Sequence, residues 1–240
     1  MKNCKCGEHA HQNDCCCQQG CCSPSRQVVE ATGAIHNRVL VKVASDPCFA
    51  KASERELFEI ISQVAGQELR NFCLSGAPLS FDELKKLLDQ ARKNPKIFIN
   101  ELFFSGKIDS VEKENLNFIA ETVSGATADD VVEIDMKLRA FESIIFADRT
   151  LSCQEKTLIG MASSIGRNSL ALGAEVLKNP SSPLAKNFKA RDINSGNVGS
   201  RFSFGDVFGA IIGCLICGGT IGCITCGIVG GAFGSASREE

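Results

Sequence analysis

Between Asp206 and Arg238 the chain carries no charged side chain, and apolar residues and glycine fill almost all of residues 207–237. No other stretch constrains the fold as strongly. A segment apolar on every face must be buried inside protein or placed in lipid, because it has no polar face to offer water. A membrane-spanning helix needs about 20 mainly apolar residues, and the run exceeds that length. Its glycines make it poor helix material in water, each costing about 1 kcal/mol relative to alanine. In a bilayer they are useful, since small residues four apart let helix backbones approach closely. Gly205, Gly209 and Gly213 have this spacing, as do Gly218 with Gly222, Gly227 with Gly231, and Gly230 with Gly234. The glycines at 205, 209, 213, 218, 222, 227 and 231 are therefore expected to form a membrane-embedded, self-associating face. The competing reading is a buried hydrophobic helix or strand hairpin of a soluble domain. The length of the run without a charge, and its place after a linker, favour lipid.

The run also repeats internally. Ile212-Gly213-Cys214-Leu215-Ile216-Cys217-Gly218 is echoed nine residues later by Ile221-Gly222-Cys223-Ile224-Thr225-Cys226-Gly227. Two Cys-x-x-Cys pairs ordinarily suggest tetrahedral zinc, but only five apolar or small residues separate these pairs. Thiols in apolar surroundings pack as small hydrophobes or form disulfides in an oxidising compartment. They also accept enzymatic thioether links. Cys214, Cys217, Cys223 and Cys226 are thus the candidate cross-link or disulfide positions. Residues 213–217 through Cys223, followed by residues 227–233, resemble the core peptides of ribosomally made bacteriocins, most closely the sulfur-to-α-carbon cross-linked group, the sactipeptides. The resemblance is confined to this end of the chain. It implies a small membrane-active antimicrobial peptide, released from a precursor with the help of maturation or export proteins.

The rest of the chain reads as all-α. Residues 28–179 are expected to form a helical bundle, residues 180–200 a linker rich in Pro, Ser, Asn and Gly, and residues 201–240 the apolar tail. Ser53-Glu54-Arg55-Glu56, Ser80-Phe81-Asp82-Glu83 and Ser152-Cys153-Gln154-Glu155 have the spacing of capping boxes, which open helices. The second helix should stop before Pro95. Residues 96–105 are short and Phe-rich. Residues 111–123 carry Leu116, Phe118, Ile119 and Val123 at helical spacing, with Gly125 as a stop. Residues 129–147 offer Val132, Ile134, Met136, Leu138, Phe141 and Ile144 or Ile145 for a core face. Residues 156–165 and 169–178 complete the set as two helices. Residues 38–44 fit either a strand or the start of a helix.

The first 27 residues are different again. Cys4, Cys6, His9, His11, Cys15, Cys16, Cys17, Cys21 and Cys22 crowd a polar segment without periodicity, expected to be disordered until something binds it. Soft thiolates with imidazole suit Zn²⁺ or Cu⁺. Adjacent cysteines also suit S-acylation. The segment lacks the apolar run of a secretory signal, so synthesis in the cytoplasm is the expectation.

A net charge of -2 gives no electrostatic case for nucleic acid as the partner. Trp and Tyr are absent, so no aromatic membrane belt of the usual kind can form. There is no phosphate-binding loop and no His-Glu-x-x-His, and every histidine precedes residue 37, so no enzyme is expected. The sequence therefore points to a lipid membrane as the partner. The first reading is a bacteriocin-like precursor whose helical domain carries a membrane-inserting tail that is secreted after cleavage. The others are a tail-anchored protein with a cytosolic helical interaction domain and a thiol-based metal-binding protein.

Overall fold

The computed structural model of the chain describes residues 26–46, 48–70, 79–124, 126–190 and 204–237. The Cys/His-rich head, with its metal-ligand candidates from Cys4 to Cys22, lies outside the described residues.

Ten helices and no strands make up the described residues: α1 (Arg26–Ala44), α2 (Glu54–Arg70), α3 (Phe81–Lys93), α4 (Pro95–Phe104), α5 (Ser110–Ser124), α6 (Val131–Ala147), α7 (Cys153–Lys178), α8 (Pro183–Ala190), α9 (Phe204–Cys217) and α10 (Thr220–Ala236). The all-α expectation holds. The capping signals act where the sequence places them. Ser152 accepts from the Glu155 backbone while the Glu155 carboxylate accepts from the Ser152 backbone N–H, which satisfies two otherwise orphaned donors at the start of α7. Ser53 and Glu56 make the same exchange. At the α3–α4 junction Asn94 caps α4 by accepting from the Ile97 N–H, and Pro95 fits the first helical turn, where no N–H is needed.

The structure corrects several expectations. Residues 28–45 lie almost wholly within helix α1. Residues 156–165 and 169–178 belong to one helix, α7, because Gly166-Arg167-Asn168 is no breaker in a segment buried along most of its length. Residues 183–190, expected within the linker, form α8, whose Phe188 packs edge-on against Phe49 with ring centroids 5.4 Å apart. In α6 the buried face is Ile134, Leu138 and Ile145, leaving Val132, Met136 and Ile144 exposed. A helix packed on one side can bury only one apolar stripe, and the sequence supplied two.

The largest correction concerns the tail. Residues 207–237 do not make one long helix. Gly218 and Gly219, both with φ of 59°, break the run, since only glycine adopts that backbone without strain. The result is a helical hairpin of α9 and α10. No helix among the described residues is long and apolar enough to cross a membrane. The hairpin is also not a separate tail. It occupies the centre of the bundle, with α1, α2, α3, α5 and α7 packed around it. The amphipathic helices turn their apolar stripes inward onto it, and the hairpin is apolar on all faces because it is enclosed on all faces. Phe233 of α10 meets Phe58 and Phe81 at 5.9 and 5.8 Å between centroids, and Phe208 of α9 meets Phe98 at 5.9 Å.

Candidate functional site

The hairpin carries the candidate site, and its construction begins with glycine. Gly205 lies against Gly234, Gly209 against Gly230, and Gly213 against the Cys226 backbone; a methyl group at any of the three would collide with the facing carbonyl. The four-residue glycine spacing thus serves contact within one chain. The α9–α10 seam forms because the turn at Gly218-Gly219 folds the second helix onto the first. Gly227 and Gly231 face outward instead, toward Met161 of α7 and His36 of α1, and Gly222 lies beside Cys217.

Near the turn the two helices are covalently joined. Cys214 is bonded to Cys223 and Cys217 to Cys226. Both bridges lie beside the Gly218-Gly219 turn, and each joins a cysteine of α9 to the cysteine nine residues further on in α10. Among the described residues no group of three or more His, Cys, Asp or Glu side chains is arranged to hold a metal ion.

At the opposite end the hairpin is held by a buried polar cluster. Asp206, in the first turn of α9, is fully buried. It accepts hydrogen bonds from the hydroxyls of Ser169 in α7 and Ser235 in α10. His36 of α1 is also fully buried, with Nε2 3.7 Å from the Asp206 carboxylate and without a hydrogen-bond partner of its own. Its Nδ1 lies 3.1 Å from the Asn37 side-chain oxygen. Burial pushes the imidazole down, but the Asp206 carboxylate outweighs it, with help from Asn37 and the Gly231 backbone, and holds His36 above its ordinary value. The cluster thus ties one hairpin carboxylate to both its own partner helix and two helices of the surrounding bundle. Arg92 of α3 reinforces this end, donating to the Gly234 carbonyl and the Ser237 hydroxyl, each at 2.7 Å.

Ser, His and Asp side chains meet here, but not as a nucleophilic triad. Both hydroxyls bond the carboxylate rather than the imidazole, and the whole cluster is enclosed. The chemistry of the arrangement is retention: a charge buried with partners holds its element in place, and loses that hold when a partner is lost.

The sequence reading did not single out His36, Ser169, Asp206 or Ser235. Two signals were present. His36 is the only histidine beyond the head, and it sits on the apolar face of α1; Asp206 is the last charge before the uncharged run. Their meeting depends on α9 folding back into the bundle, which no local pattern encodes.

Comparison of the chain with protein-family models, with curated proteins and with solved structures gives no match.

Proposed function

We propose that this chain is a bacteriocin-like membrane-inserting protein, in which the amphipathic helices carry and shield an apolar hairpin that acts in a lipid bilayer. One observation carries the reading: α9 and α10 are joined by backbone-to-backbone glycine contacts and two disulfides. The hydrophobic effect that holds most core helices vanishes in lipid. Close backbone packing does not, and neither does a covalent link. The hairpin is therefore built to survive transfer from a protein interior to a bilayer.

Length sets how it would sit. At ~1.5 Å per residue, α9 and α10 extend about 21 and 26 Å, against a hydrocarbon core of about 30 Å. The hairpin would enter from one side and reach most of the way across, with both ends left at the entry face. This geometry perturbs a bilayer without a spanning helix. It also differs from a tail anchor, which passes its last residues to the far side. The bundle must open or be cut for the hairpin to leave.

The test uses the full chain and dye-loaded vesicles of equal parts phosphatidylcholine and phosphatidylglycerol. The expected result is dye release at micromolar protein, with the hairpin in the lipid-bound fraction. Its mass there separates an intact chain from a peptide beginning near residues 196–206. Vesicles that stay sealed and free of polypeptide would exclude the reading.

A further inference from the structure

Residues 205–214 and 223–237 of the hairpin are buried, whereas residues 215–222, around its turn, are partly or fully exposed. The two disulfides straddle this boundary. In the Cys214–Cys223 bridge both residues are sealed, at 4% and 0% exposure. In the Cys217–Cys226 bridge Cys226 is sealed at 1%, but Cys217 lies among the partly exposed turn residues. The two bridges have the same sequence separation and differ in access.

The backbone around them differs in the same sense. Cys217 is the last residue of α9, and Gly218 and Gly219 follow it in the left-handed region. Cys214 lies one helical turn deeper. Its neighbour Gly213 is pressed against the Cys226 carbonyl, where the two backbones leave no space for a side chain. Opening the outer bridge therefore releases a helix end beside a glycine turn. Opening the inner bridge requires entry into the seam itself.

We infer that Cys217–Cys226 is a thiol-exchange site, open to a dithiol reductant while the bundle stays folded, and that Cys214–Cys223 is a permanent brace. The inference goes beyond the insertion reading and does not depend on it. Exchange requires a thiolate to reach one sulfur of the bridge, so access decides which bridge reacts and at which sulfur. One thiolate of the dithiol attacks Cys217 Sγ. The Sγ–Sγ bond breaks, and Cys226 leaves with the bonding pair and takes up a proton. The second thiol of the reductant loses its proton and attacks the reductant's own sulfur in the mixed disulfide. Cys217 leaves in turn and is protonated. The dithiol ends as a disulfide, having given two electrons and two protons to Cys217 and Cys226. Both product thiols can stay in place, since a thiol packs as a small hydrophobe. The inner bridge and the contacts of Gly205 with Gly234 and Gly209 with Gly230 are untouched. The one-bridge form thus keeps the hairpin and loosens its turn.

The experiment follows reduction of the full chain by dithiothreitol. Existing thiols are first blocked with N-ethylmaleimide. Samples taken during reduction are quenched in acid and alkylated in denaturant with deuterated N-ethylmaleimide, and the labelled cysteines are mapped by tandem mass spectrometry. Cys217 and Cys226 should take the second label together, at least tenfold faster than Cys214 and Cys223. Low urea should leave the fast rate unchanged and raise the slow one, because the sealed bridge reacts only when the structure opens. In Cys214→Ser/Cys223→Ser, checked for helicity by circular dichroism, the remaining bridge should reduce within threefold of its wild-type rate. Four cysteines labelled at one rate, or Cys214 and Cys223 labelled first, would overturn the inference. So would a tenfold slower reduction in the variant, or Cys217 and Cys226 carrying the first label, which would show that their bridge is not formed.

Discussion

Asp206 is the residue on which the closed state turns. It is a buried carboxylate in an otherwise uncharged hairpin, and it is balanced by two hydroxyls and one imidazole. Removing one partner of a buried charge pair typically costs about 3–5 kcal/mol. Asp206→Ala should lower the unfolding free energy, extrapolated from urea melts, by an amount in that range and speed dye release from vesicles, because the hairpin loses its hold on α1 and α7. Unchanged stability in this variant would show that the cluster retains nothing. His36 adds a pH dependence of defined sign. Its folded pKa lies above the ordinary value of 6.5, so its contribution to stability is complete below the unfolded pKa and is lost as pH rises through the folded one. The stability difference between wild type and His36→Gln should therefore be larger near pH 6 than near pH 9, read from urea midpoints. A difference that grows with pH would contradict the charged pair. None of this was legible as a site in the sequence. His36 and Asp206 each stand out singly, but they are far apart in the chain and nothing local pairs them.

At the scale of the element, the sequence spoke clearly about helices and misled about their partners. Capping boxes at Ser53 and Ser152 and the Asn94-Pro95 start are local chemistry, and they act locally. The glycine ladder was equally visible, but its spacing says only that backbones approach, not whose. The turn at Gly218-Gly219 decides that, and in the sequence it is hidden among many other glycines. Two predictions belong here. Gly209→Val places a branched side chain against the Gly230 carbonyl, and overpacking of this kind costs about 1–3 kcal/mol. It should depress the thermal midpoint more than Gly66→Val, where the structure leaves open space; equal effects would show that the seam is loose. Each disulfide spans a sequence separation of 9 residues, and closing a loop of that size is worth about 3 kcal/mol. Cys214→Ser/Cys223→Ser should lower unfolding stability by up to that amount. The variant should keep its helical circular dichroism, since the glycine seam remains.

For the molecule as a whole, the apolar run was read as a tail because nothing in a sequence distinguishes a helix buried by protein from one buried by lipid. The structure resolves it as the centre of the bundle. That arrangement reconciles a long uncharged segment with an otherwise ordinary composition: the amphipathic helices supply the polar surface that the hairpin lacks. The α6 stripe of Val132, Met136 and Ile144 remains outside the core, and Phe104 and Ile221 are exposed as well. The central claim is that the hairpin can exchange the bundle for a bilayer. The chain has neither Trp nor Tyr, so a single introduced tryptophan reports without background. Phe233→Trp, at a fully buried hairpin position, mixed with vesicles containing acyl-brominated phosphatidylcholine, is the direct measurement. Its fluorescence should be quenched, whereas a tryptophan at Phe49, buried between α1 and α8, should not be. A Phe233→Trp signal that stays unquenched while the protein is bound to the vesicles would contradict the account.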